Sequence, residues 1–170
     1  MKTQIRKNPQ SGVAMHGFYR VSIVNKRGKV KGDSGWHHNL ITSSGLTNFL
    51  TQTFLRAAGS SAVSMAHLGS ALSNLASSAS SLVGEMAKSL MITLATASTS
   101  RANSTDGDTA RFLGTFASNF AAASTTIACL GLYMTSTGSI FCGGSFASST
   151  LATNQAVLIT YDVVFVASTS

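Results

Sequence analysis

The clearest alternation of apolar and polar positions lies at the end of the chain. Val157, Ile159, Tyr161, Val163 and Phe165 share one face of an extended segment, and Leu158, Thr160, Asp162, Val164 and Val166 share the other. Period two over ten residues predicts a strand. Both faces are largely apolar near its end, which predicts a place in the middle of a sheet or at a subunit contact. Three further strands precede it. Arg111 to Phe120 places Phe112, Gly114, Phe116, Ser118 and Phe120 on one side, Thr126 to Thr135 follows, and Ser139 to Ser148 is joined to it by the turn Ser136-Thr137-Gly138.

The first half begins with the same period. From His16 to Asn25, Phe18, Arg20, Ser22 and Val24 alternate with Tyr19, Val21 and Ile23. Asn25-Lys26-Arg27-Gly28 supplies turn chemistry, since glycine accepts positive φ. A partner strand runs from Lys29 through Asp33 to His38, with Trp36 expected in the core. The period then changes. Leu46, Phe49, Leu50 and Phe54 recur at helical spacing, which predicts one short core-facing helix capped by Ser43 or Ser44 and closed near Ala57-Ala58-Gly59. Residues 60–104 are rich in Ser and Ala; strands are expected at Ala62 to Leu68 and Lys88 to Thr99, with a loop and a helical turn from Gly69 to Ser81. Asn103 to Asp108 reads as a surface turn. Short strands joined by Gly, Ser and Thr turns predict a mainly β fold: an antiparallel β-sandwich or jelly-roll-like domain with one short helix. The expected division is an extended basic N-terminal arm at 1–15 and a single sandwich domain at 16–170. Phe116, Tyr161, Val163 and Phe165 join Trp36, Leu46, Phe49 and Leu50 as expected core.

Charge sharpens this picture. Only 10% of the 170 residues are charged, and the net charge is +7. Lys2, Arg6, Lys7, Arg20, Lys26, Arg27, Lys29 and Lys31 all precede position 32, and no charged residue lies between Arg111 and Asp162. Sheet edges usually carry Lys or Glu against edge-to-edge pairing. Their absence here predicts edges covered in an assembled state, hence a homo-oligomer or partner-bound subunit. Arg6, Lys7, Lys26, Arg27 and Lys29 are the expected partner contacts. No aromatic residues interleave with them as a base-stacking surface needs, which disfavours nucleic acid as the partner.

No residue set reads as catalytic. His37 and His38 are neighbours on a strand and point to opposite faces, so they do not chelate one metal; His16 and His67 are distant in sequence. Asp106-Gly107-Asp108 lacks the remaining ligands of a calcium loop. Glu85 and Lys88 fit a surface ion pair, no GxSxG elbow is present, and the carboxylates at 33, 85, 106, 108 and 162 are scattered. Cys129 and Cys142 fall on adjacent strands and nearly face each other across the Gly138 turn; free buried thiols in a reducing cytosol are the favoured reading over a cross-strand disulfide. No cofactor, metal or small-molecule substrate is expected. The start, MKTQIRKNPQ, lacks the apolar run of a signal peptide, and no uninterrupted apolar span is long enough for a membrane helix.

One series of motifs stands out in order along the chain. Asn39-Leu40-Ile41-Thr42-Ser43-Ser44-Gly45-Leu46 follows the basic hairpin. Gly131-Leu132-Tyr133, Gly138, Ser145-Phe146-Ala147-Ser148 and Val157-Leu158-Ile159-Thr160-Tyr161-Asp162-Val163-Val164-Phe165 come after it. In this, residues 16–166 resemble a family of small virion structural proteins of tailed bacteriophages: tail fibre, tail-associated or minor structural proteins. The chain departs from that pattern at 60–104, where Leu68-Gly69-Ser70-Ala71 and a Ser/Ala run replace a Gly-rich loop and acidic residues. The resemblance implies a non-enzymatic component of the virion, assembled in the host cytoplasm. It would be a homo-oligomer that docks on other virion proteins of tail, neck or capsid.

Overall fold

The computed structural model describes residues 11–47, 63–71, 75–87, 90–101, 108–118, 120, 123–135 and 138–169. Among the described residues, ten strands form two antiparallel five-stranded sheets packed as a sandwich. They are β1 (Ser11–Asn25), β2 (Val30–His38), β3 (Leu40–Ile41), β4 (Met65–Gly69), β5 (Ile92–Thr93), β6 (Ala95–Arg101), β7 (Asp108–Phe116), β8 (Thr125–Tyr133), β9 (Ile140–Leu151) and β10 (Gln155–Thr169). The first sheet has the order β2-β1-β10-β7-β6, and the second β3-β9-β8-β4-β5. The first and last strands pair along their whole length, from Ser11 with Thr169 to Asn25 with Gln155. Residues 11–15 therefore lie in β1, against the chain's own β10. β10 is flanked on both sides, by β1 and β7, in the middle of its sheet. Between the sheets Tyr19, Val21, Ile23, Leu68, Phe116, Ile127, Leu130, Leu132, Tyr161 and Val163 form one core, with Phe165 packed against it.

The stretch after β2 passes the chain from one sheet to the other, and each motif residue has a task. Asn39 donates its backbone N–H to Gly17 O at 3.1 Å. Leu40 and Ile41 pair with Gly143 and Cys142 of β9. Thr42 is fully buried; its Oγ1 donates to Ile140 O at 2.7 Å and accepts from Gly45 N–H at 3.0 Å. Thr42, rather than Ser43 or Ser44, is thus the cap of the helical turn at 43–47, because its hydroxyl also reaches a β9 carbonyl. A Cβ on Gly45 would stand 2.2 Å from Phe141 O, so only glycine lets this turn lie on β9. Leu46, expected in the core, is 41% exposed: with the cap one residue earlier, Gly45 rather than Leu46 meets the strand. Phe49, Leu50 and Phe54 lie outside the described residues.

Trp36 is also corrected, from core to surface, at 48% exposed. Alternation from Asp33 would turn it inward. Between the pairs Ser22–Asp33 and Arg20–Trp36, however, β2 has two residues opposite the single Val21. The extra residue is a bulge at Ser34-Gly35, with Gly35 at φ 71°, and it inverts the parity. Ser34 Oγ fills the gap by accepting from Val21 N–H at 3.0 Å. His37 turns inward in place of Trp36 and stacks on Tyr19, ring centroids 5.5 Å apart.

Charge-free residues 112–161 supply much of β7 and β10 and all of β8 and β9, which are interior strands of their sheets. The outermost strands are β2, which carries Lys31 and Asp33, β6, and β3 and β5, of two residues each. Among the described residues β3 pairs with β9 only at Gly143 and Cys142, so the charge-free β9 is paired on that side over two residues. Short edge strands limit unwanted pairing without charge.

Candidate functional site

Three features could carry function: the β1–β2 turn, the outer face of the first sheet, and a buried polar cluster behind the second sheet.

At the turn, Asn25 Oδ1 accepts from the N–H groups of Arg27 and Lys29, both at 3.0 Å, and Gly28 takes φ 74°. This local geometry leaves Lys26, Arg27, Lys29 and Lys31 exposed around one hairpin tip. Three of the expected contacts, Lys26, Arg27 and Lys29, are thus brought together as one cationic end. Arg6 and Lys7 lie outside the described residues.

The outer face of the first sheet is read from register, since paired residues share a face. Asp33, Ser22, Leu158 and Thr115 form one row; Trp36, Arg20, Thr160 and Leu113 the next; His38, Phe18, Asp162 and Arg111 the third. Two fork-like ion pairs lie on it. Arg20 Nη2 donates to Asp33 Oδ2 at 2.6 Å and Nε to Oδ1 at 3.0 Å. Arg111 Nε and Nη2 donate to Asp162 Oδ1 and Oδ2, both at 2.7 Å. The Arg20 guanidinium holds the Asp33 carboxyl down at about 2, with the N–H of Gly35 and the hydroxyl of Ser22 adding to the effect against partial desolvation. The two charges that bracket the uncharged run of the sequence are therefore partners across β7 and β10. Leu158 and Leu113 are 40% and 39% exposed between these pairs.

The outer face of the second sheet differs. The segment between β4 and β5 folds across it. Leu82 is buried with Cys129, Tyr133 and Ile140, and Met65, Leu75, Ala79 and Met91 pack around them. Backbone bonds pin the segment: Ser43 N–H to Ser77 O at 2.8 Å, Ile140 N–H to Ser80 O at 3.0 Å, and Ser70 N–H to Gly84 O at 2.9 Å. Beneath it sits Glu85, whose Oε1 accepts from the Tyr133 hydroxyl and lies 3.1 Å from His67 Nδ1. His67 is fully buried, and its Nε2 lies 3.1 Å from Ala87 O. Both ring nitrogens therefore lie within hydrogen-bonding distance of an oxygen of the protein. Burial and the Glu85 hydrogen bond push the Tyr133 hydroxyl well above its usual range. Glu85 was expected at the surface beside Lys88. It turns inward because the backbone bridge to Gly69 aligns it with His67 two residues earlier on β4. The sequence gives no local sign of that long-range pairing.

Chemically this cluster works as a lock: the Tyr133 hydroxyl, both ring nitrogens of His67 and Glu85 Oε1 each lie against another group of the protein, and His67 has no exposed surface. The cysteines do not face each other. Cys129 pairs with Ser145, and Cys142 with Leu132, three positions along β8, so their side chains point to opposite sides of the sheet. Both are free and buried. Desolvation pushes the Cys129 thiol up to about 11 and Cys142 further, the latter also accepting from the Tyr161 hydroxyl at 2.8 Å. Among the described residues no group of three or more His, Cys, Asp or Glu side chains could hold a metal ion, and no helix is long and apolar enough to cross a membrane.

No protein-family profile matches the chain, and no curated protein and no solved structure matches it.

Proposed function

We propose that this chain is a non-enzymatic structural subunit of a tailed-bacteriophage virion. In this reading it is a tail- or neck-associated component, of the fibre, collar or anchoring kind, that self-associates and docks on other virion proteins. The supporting observation is the separation of surfaces on one sandwich. A cationic tip formed by Lys26, Arg27, Lys29 and Lys31 projects at one end, the outer face of the first sheet is open, and the second sheet is covered by the chain itself. Separate surfaces suit a subunit that must hold unlike neighbours at once. The ordered motifs from Asn39 to Phe165, which resemble those of the virion family, support the reading. A second reading, a capsid decoration protein clamping neighbouring shell subunits, draws on the same basic end.

The test is the copy number of this chain in purified particles, by quantitative mass spectrometry against the major shell protein. A few copies per hundred shell subunits support the tail or neck. A ratio near one to one, or one to a few, supports decoration. Absence from particles overturns both and brings forward a basic nucleic-acid-binding role.

A further inference from the structure

We propose that the outer face of the first sheet is the surface on which a second copy of this chain docks, sheet against sheet. This rests on the self-association in the reading above and names its surface. Leu158 on β10 and Leu113 on β7 are exposed diagonal neighbours, and Trp36, exposed on β2, stands in the row of Leu113 beyond Arg20 of β1. The pair Arg20 with Asp33 lies between Trp36 and the two leucines, and Arg111 with Asp162 lies in the next row beyond Leu113.

Charge decides the occupant. The chain carries +7 overall, so two copies repel at most approaches. On the three rows of this face, each arginine is neutralised by its aspartate, and the basic side chains of the hairpin tip stand at the end of the sheet. A second copy therefore meets no net repulsion here. An acidic partner gains nothing here and is drawn to the tip instead. Both signs of charge lie on one patch beside apolar side chains, which is what a two-fold contact requires: the same patch must complement itself. Aligned packing of two twisted sheets at roughly 30° then sets Leu113, Leu158 and Trp36 of each copy against those of the other.

Sedimentation velocity of the purified full chain across micromolar concentrations tests this, with two variants. Leu113→Glu combined with Leu158→Glu alters two exposed side chains, so the circular dichroism spectrum and melting temperature should stay close to those of the parent. Lys26→Glu combined with Arg27→Glu alters the tip. The parent is expected to self-associate. The face variant should dissociate with an affinity loss of about tenfold or more, as for a central contact. The tip variant should associate as the parent does or more tightly. A parent that stays monomeric overturns the proposal, as does an oligomer indifferent to the face variant. Neither result touches the copy number in particles, so failure of the docking face and failure of the virion reading are separable.

Discussion

The outer faces of the two sheets began with the same problem and reached opposite solutions. Behind the second sheet, β8 is apolar on both sides, and the segment after β4 folds back to bury Cys129, Tyr133 and Ile140 under Leu82. Its ionisable groups, His67 and Glu85, are drawn inside and satisfy each other. Behind the first sheet no described segment folds across the outer face: Leu113, Leu158 and Trp36 stay exposed, and the ionisable groups pair laterally along the surface. A covered face spends chain length on its own stability. An open face with balanced charge leaves apolar area for the second copy proposed above.

Substitutions of like chemistry on the two faces should separate them. Leu82→Ala removes the centre of the cover and should cost about 2–5 kcal/mol in chemical denaturation, whereas Leu158→Ala should fall within about 0.5 kcal/mol for the monomer. Equal costs would erase the contrast. Glu85→Leu should cost a comparable amount, at about 1–3 kcal/mol for each buried group left without its partner, His67 and Tyr133. A cost near zero would show that the trio does not hold the cover down.

The thiols sharpen the comparison kinetically. Neither should react with iodoacetamide in the native protein at mildly alkaline pH, since burial disfavours both thiolates. Leu82→Ala should expose Cys129, under the cover, to labelling first. Cys142, in the core with Tyr161, should wait for global unfolding. Simultaneous labelling would mean that the cover does not open by itself.

The smallest effect concerns the open face. Asp33 titrates at about 2 in the fold, and an unfolded aspartate at about 3.9. A depressed carboxylate contributes stability that is complete above the unfolded value and lost as pH falls through the folded one. The β1–β2 pairing should therefore loosen between about pH 4 and pH 2, read from the amide shifts of Val21 and Asp33. The Arg20→Gln variant should shift that transition upward; an unchanged midpoint would remove the ion pair from the account.

Much of the sandwich was legible from the sequence, for a physical reason. β1 and β10 keep period two over long runs, as half-buried strands do, while β8 and β9 are legible as short apolar runs bounded by Gly, Ser and Thr turns. β4 was found to within a few residues, while the expected strand at Lys88 to Thr99 divides at buried Leu94, where the chain leaves one sheet for the other. What the pattern could not carry were single-residue shifts and distant pairings. The bulge at Ser34-Gly35 reverses Trp36 and His37, Thr42 caps the helical turn because β9 is beside it, and Glu85 finds His67 across a loop. The basic tip was legible because four cations cluster around one glycine turn. The open face was not, since its rows join residues as distant in sequence as Trp36, Arg20, Thr160 and Leu113.

Footprinting with a photo-activated carbene at increasing protein concentration tests the division between the two faces most directly. The account predicts that Leu82, Cys129 and Tyr133 are protected at every concentration. Trp36, Leu113 and Leu158 should be labelled when dilute and lose labelling as copies associate. Labelling of Leu82, Cys129 or Tyr133 in the dilute protein, or of Trp36 and Leu158 unchanged across the series, would contradict it.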